Sequence, residues 1–251
     1  MEIPKEYSER PFLRGESRKN YRNAEKYPNH VLGTYEPYVP EITEPEIYDF
    51  DRFKKEFKEF WNLDAEKNGW DFIEQEFNGK KVKSRIFVHP ENAEKINQII
   101  SYLVGDNSTL NPKKGIWLCG WYGSGKTVFM MALVRFINIK MKSGINIIRY
   151  NDLYNKVRIE ESIEPVNRTI KSHCFIDDMA YQERVSVKSY GNNDNVLENI
   201  ITRLYALRCT YFATSNFTPY ELLEKGLIKP GDYDRMNEMF NVIEWHGESL
   251  R

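Results

Sequence analysis

Residues 115–127 read Gly-Ile-Trp-Leu-Cys-Gly-Trp-Tyr-Gly-Ser-Gly-Lys-Thr. Gly120, Gly125, Lys126 and Thr127 fit G-x-x-x-x-G-K-[ST], a loop whose backbone N–H groups cradle a phosphate chain. The flanks have the required character: an apolar run enters the loop, and the apolar run Val128–Val134 leaves it. Such a chain is committed to a strand–loop–helix unit and therefore to a layered α/β sheet. Glycines at 120, 123 and 125 let N–H groups turn inward without a side-chain clash. The helix that follows offers unpaired N–H groups and a positive dipole end. Lys126 is expected to reach the β/γ-phosphates, and the Thr127 hydroxyl to ligate Mg²⁺. The expected nucleotide contacts are Gly120, Tyr122, Gly123, Ser124, Gly125, Lys126, Thr127 and Val128.

Beyond residue 109, short apolar runs alternate with helical patterns. The runs are Gly115–Cys119, Asn146–Tyr150, His173–Ile176, Thr210–Thr214 and Asn241–Trp245. Helical spacing occupies 127–140, 151–158, 194–207, 218–224 and 233–239. Five alternations predict a doubly wound, five-stranded parallel sheet. Thr218-Pro219-Tyr220-Glu221 places a capping hydroxyl, a first-position proline and a third-position glutamate at one helix start. The third run is followed by Asp177, expected to end the strand, and Asp178. Adjacent carboxylates repel, so a cation beside them is the economical reading: Asp177 in the Mg²⁺ shell, Asp178 on the attacking water. A turn-capping role for Asp178 is the alternative. Asn216 follows the fourth run, either beside the γ-phosphate or as a plain turn residue.

The first 90 residues read differently. Six of eleven prolines fall within residues 1–45, together with Tyr7, Tyr21, Tyr27, Tyr35 and Tyr38. This stretch is read as an extended arm, either a surface linker or a partner-docking segment. Residues 46–90 form a small partner-binding region, and 91–251 the nucleotide-binding domain. Within the middle region, Phe50, Phe53, Phe57, Phe60 and Trp61 recur at helical spacing over 49–61, as a core stripe or a docking face. Asn78-Gly79 predicts a hairpin between 72–77 and 82–88. A helix follows Pro90, with Ile96, Ile99, Ile100 and Leu103 on one face.

The longest apolar run has seven residues, against about 20 for a membrane-spanning helix. No secretory leader is expected. The three cysteines stand singly, without C-x-x-C, which argues for a reducing, cytoplasmic setting.

Together with the loop, further segments carry a resemblance. They are HCFIDD (173–178), YGNNDNVLENIITRLY (190–205), ATSN (213–216), DYDRMNEMFNVIEW (232–245) and GESLR (247–251). In these the chain resembles the DnaC/DnaI/IstB branch of AAA+ ATPases, which are bacterial or phage replicative-helicase loaders and their transposition relatives. The resemblance implies a P-loop NTPase of the AAA+ ASCE type without a C-terminal helical lid, preceded by an N-terminal extension. It implies ATP over GTP, a homo-oligomer in the ATP state, and a DnaB-type replicative helicase as partner. It also makes Asn216 the sensor-1 residue, and Arg235 an arginine finger reaching the neighbouring subunit's nucleotide. An ordinary solvated arginine is the alternative. Gly247, Ser249 and Arg251 match the family's chain end. The family's Arg-Tyr pair reads Arg203-Leu204-Tyr205, which leaves Arg203 without a clear counterpart.

Charge adds an independent pointer. Net charge is −1 overall, but residues 135–171 hold eight basic and four acidic side chains. Arg149, Lys156 and Arg158, with Tyr150 among them, suit single-stranded DNA, where cations meet phosphates and rings meet bases. A plain solvated surface is the alternative. The reading is therefore an ATP-dependent helicase loader. An IstB-like transposition ATPase and a nucleotide-switched DNA-binding scaffold with little turnover are alternatives.

Overall fold

The computed structural model describes residues 48–67, 73–77, 80–84, 88–106, 108–183, 185–189 and 192–247. The arm expected over 1–45, and Ser249 and Arg251, lie outside these.

Five parallel strands form the central sheet: β3 (Gly115–Gly120), β4 (Asn146–Arg149), β5 (Cys174–Met179), β8 (Tyr211–Ser215) and β9 (Phe240–Trp245). Their spatial order is β4-β5-β8-β3-β9. Thus β8 is inserted between β3, which feeds the phosphate loop, and β5, which carries the acidic pair. The crossovers are α3 (Lys126–Lys140), α4 (Tyr150–Glu160), α5 (Glu164–Thr169), α6 (Val196–Leu207), α7 (Pro219–Glu224) and α8 (Pro230–Met239). All five expected strands form within a few residues of their expected bounds. The capping box of α7 forms as well: Thr218 Oγ accepts from the Glu221 amide, and Glu221 Oε2 accepts from the Thr218 amide.

Successive residues of β3 point to opposite faces, as a pleated strand requires. Ile116 and Leu118 join one core, with Phe129, Leu133 and Phe136 of α3. Trp117 and Cys119 join the other, with Leu153, Ile200, Leu204 and Met236. A strand buried on both faces reads as a continuous apolar run, which is why Gly115–Cys119 was legible.

The N-terminal helix α1 (Phe50–Lys67) extends six residues beyond its expected end. Its aromatic stripe is core. Phe53 and Phe57 stand edge-on to Phe136, with centroids 5.0 and 5.5 Å apart, and Trp61 meets Phe129 at 5.4 Å. Phe129 in turn stacks on Trp245 at 4.8 Å, and Trp245 Nε1 donates to the Ser124 carbonyl of the loop at 2.9 Å. The stripe is therefore not a free docking face. It is the outermost layer of packing behind the phosphate loop, flanked by the α1–α3 ion pairs Asp64–Arg135 and Glu56–Lys140. Helix α2 (Pro90–Val104) buries Ile96, Ile99, Ile100 and Leu103 in the same core.

The hairpin expected around Asn78-Gly79 is present as β1 (Ile73–Phe77) and β2 (Lys80–Ser84), antiparallel, with its second arm two residues earlier than expected. A second antiparallel pair, β6 (Ser186–Ser189) and β7 (Asn192–Asn195), precedes α6. Neither it nor α5 was anticipated. Among the described residues no helix is long and apolar enough to cross a membrane.

Removing a buried aromatic costs about 3–5 kcal/mol. Phe57→Ala should therefore lower the unfolding free energy by about that amount in urea denaturation. A docking-face phenylalanine would leave stability nearly unchanged.

Candidate nucleotide site

The phosphate loop sits where β3 meets α3. Gly120 has φ of 149°, and a Cβ there would lie 2.1 Å from the Trp245 carbonyl oxygen of β9; no side chain fits. Gly125 has φ of 89° at the N-cap of α3, a left-handed conformation that glycine adopts at little cost. Lys126, only 5% exposed, folds back over the loop. Its ammonium donates to the carbonyls of Gly120 and Trp121, both at 2.8 Å, and to Asn216 Oδ1 at 3.2 Å. The Ser124 hydroxyl lies 3.5 Å away. A buried ammonium needs such acceptors, and incoming phosphate oxygens would compete for the same donors.

Asn216 reaches Lys126 because β8 lies directly beside β3. The sequence placed Asn216 at a strand end, and the strand order places it at the loop. Tyr122 is exposed, its ring edge-on to that of Trp121, itself 71% exposed. Val128 packs at the margin of the first core.

A second hydrogen-bonded group joins loop to acid. Thr127 Oγ1 donates to Asp177 Oδ1 at 2.8 Å, and Thr214 Oγ1 donates to the same oxygen at 2.7 Å. Thr214 also accepts from the Asp178 amide at 2.9 Å. Asp177 is buried at 6% exposure. The strand does not end at Asp177, as expected, but runs to Met179 with one extra residue against β8. This bulge carries Asp178 at φ of 56°, a conformation that Asp tolerates better than most residues. Bulges of this kind re-aim side chains beside active sites.

The donor set suits Mg²⁺, which takes oxygen ligands and is commonly held by one or two carboxylates together with substrate phosphates. Thr127 and Asp177, hydrogen-bonded to one another, are the residues that would hold it. Among the described residues no group of three His, Cys, Asp or Glu side chains could hold a metal alone. A cation here would therefore share its coordination with the nucleotide.

Thr214 was not singled out from the sequence. Its signal was a hydroxyl residue at the end of the apolar run Tyr211–Ala213, followed by Ser215. His89 was also missed. Its Nδ1 is buried without a partner among the described residues, and a Cβ on Gly247 would lie 3.8 Å from the His89 Cβ and 3.7 Å from the Ser124 Cβ. Cys119 lines a recess of about 320 Å³ beside the loop, with Asn216, Glu221 and Glu244. Burial, with these two carboxylates adding to it, pushes its thiol up to about 12, so it stays protonated at neutral pH.

Arg235 lies elsewhere. Helices α6 and α8 return toward the edge of the sheet where strands begin. Lys114, just before β3, donates to the Asn237 carbonyl of α8 at 2.7 Å. Arg235 Nη1 donates to Asp232 at 2.9 Å and Thr202 at 3.1 Å. All three belong to α6 and α8, so the described structure does not bring Arg235 to the loop of its own chain.

At the β4 edge, Arg149 and Lys156 line a recess of about 260 Å³ with Asn146, Asp152 and Thr169. Arg158 is exposed on α4 but does not line it. Tyr150 is a correction. It is 1% exposed within the second core, and burial raises its phenol pKa. It is the first residue of α4, and its ring anchors that helix to the sheet, so no base can stack on it.

Strand order, loop and acidic pair define a P-loop NTPase fold in which one strand separates the loop strand from the acidic strand. No family model and no curated protein matches the chain. Solved structures similar to it include a protein described as a primosome component from Streptococcus pyogenes serotype M3. That protein is 17% identical, with 65% of this chain and 84% of that one covered and a TM-score of 0.49. DnaI is 18% identical over 66% and 88% of the two chains, with a TM-score of 0.47. A DnaC helicase loader is 18% identical over 63% and 94%, with a TM-score of 0.41.

Thr214→Val keeps the shape but removes both hydrogen bonds. It should cost about 1–3 kcal/mol of stability and weaken magnesium-dependent nucleotide binding. Thr214→Ser should retain both properties, as equilibrium unfolding and titration with a fluorescent ATP analogue would show.

Proposed function

We propose that the chain is a magnesium-dependent ATPase acting in DNA replication as a helicase loader, working as a homo-oligomer on single-stranded DNA. One observation carries the catalytic part. Lys126, Thr127, Asp177, Asp178 and Asn216 converge at the C-terminal ends of the strands, while Arg235 is engaged by α6 and α8 residues and joins none of these contacts. A second copy completes the site by bringing its Arg235 to the first copy's nucleotide.

Each residue then has a task. The loop amides and Lys126 hold the β- and γ-phosphates. Mg²⁺, when bound, draws charge from the phosphate oxygens. Asp178 orients the attacking water and takes its proton, and Asn216 fixes the γ-phosphate or the water. Arg235 of the neighbour meets charge developing on the transferred group, a contribution worth about 10³–10⁵ in rate where such fingers have been measured.

The replication role is supported by the resemblance of segments 190–205 and 232–245 to helicase loaders. Arg149 and Lys156 on the β4 edge supply cations for a phosphate backbone. Helicase contact is assigned to residues 1–47 and to α1 outside its buried stripe, because the stripe itself is committed to the core.

Hydrolysis measured with ssDNA and the host replicative helicase tests this directly. Turnover should rise when both are present, and Asp178→Asn should abolish it while ATP still binds. Arg149→Ala and Lys156→Ala should each lower the salt dependence of ssDNA affinity by about one unit of slope. Background turnover under all conditions, or Asp178→Asn turning over normally, contradicts the assignment.

A further inference from the structure

Arg235 sits in a small polar cluster for which nothing above assigns a task. Its Nη1 is gripped twice, by the Asp232 carboxylate and the Thr202 hydroxyl. Its guanidinium carbon also lies over the Tyr205 ring, 5.6 Å from the centroid. Among the described residues neither Nε nor Nη2 has a hydrogen-bond partner. One edge of the guanidinium is therefore held and the other is open.

The supports are themselves fixed. Asp232 is 5% exposed, in the first turn of α8, where the helix dipole favours a carboxylate. Tyr205 donates its hydroxyl to Glu238 at 2.8 Å. That bond pushes electron density into the ring and strengthens its attraction for a cation. Arg208, at the C-cap of α6, lies over the same ring with its guanidinium 3.9 Å from the centroid. Thr202 and Tyr205 are one helical turn apart on α6, so the two meet Arg235 from one face. These contacts restrict the rotamers that the Arg235 side chain samples before any nucleotide arrives.

We propose that Thr202, Tyr205 and Asp232 are positioning residues that pre-set the Arg235 guanidinium, with its open edge presented to the triphosphate held by a second copy. The inference rests on the intersubunit reading above and adds how the cation is aimed. Asp232 and Thr202 fix the plane, and Tyr205 fixes the depth. Removing a support lets the guanidinium wander by an ångström or more, an error that costs about 10²-fold where alignment matters. Substrate binding is untouched, because none of the three contacts the cradle.

The test compares steady-state ATP hydrolysis by full-length Tyr205→Leu, Tyr205→Phe, Asp232→Asn and Arg235→Ala with the parent chain. Tyr205→Leu and Asp232→Asn should each lower kcat by about 10²-fold with KM for ATP unchanged. Tyr205→Phe keeps the ring and should keep most of the rate. Asp232→Asn is isosteric, so it preserves a readable protein should Tyr205→Leu fold poorly. Wild-type kcat in both Tyr205→Leu and Asp232→Asn, beside an inactive Arg235→Ala, overturns the clamp and leaves the intersubunit reading standing. A raised KM at unchanged kcat also overturns it, since that marks damage to the cradle. Full activity in Arg235→Ala overturns both readings.

Discussion

A buried ammonium has to be neutralised or hydrogen-bonded where it lies. Lys126 is held by the carbonyls of its own loop and by Asn216 from the adjacent strand, and the rest of the molecule is arranged so that these acceptors meet. The meeting depends on sheet order. With β8 between β3 and β5, one strand serves both neighbours: Asn216 faces the loop lysine, and Thr214 faces the acidic pair. Behind the loop, β9 comes so close that only glycine fits at position 120. The aromatic packing from α1 through Phe129 to Trp245 holds β9 in place. Packing, strand order and site chemistry thus form one chain of dependence.

The same topology separates Arg235 from the phosphate loop. Parallel strands put every loop of the cradle at their C-terminal ends, and the returning helices carry Arg235 toward the other edge. Arg235, paired with the buried Asp232 carboxylate and with Thr202, makes none of the cradle's hydrogen bonds among the described residues. On the function proposed above, assembly is part of the chemistry rather than an addition to it.

Much of this was legible in the sequence because its signals are local. The glycines, lysine and threonine of the loop report their own geometry, and two-sided burial makes β3 an unbroken apolar run. The capping box at Thr218 and Glu221 is a four-residue signal. What escaped was non-local or ambiguous. Strand order leaves no periodic trace, so the role of Thr214 was invisible although its residue type was not. The bulge at Asp178 changes one φ angle and no residue pattern. The stripe Phe53, Phe57 and Trp61 looks the same whether it faces a partner or α3, and only packing decides. Tyr150 was misassigned because flanking charges outweighed its position between the edge strand β4 and α4, where its ring turns inward. The β6–β7 pair is rich in Asn and Ser, which favour turns over strands.

Mixing two inactive chains tests the split site most directly. Lys126→Ala retains Arg235 but loses the cradle, and Arg235→Ala retains the cradle but loses the cation. Combined in equal amounts with ssDNA, they should hydrolyse ATP well above the sum of the two alone, because some seams pair an intact cradle with an intact arginine. A mixture no more active than that sum would contradict a nucleotide shared between copies.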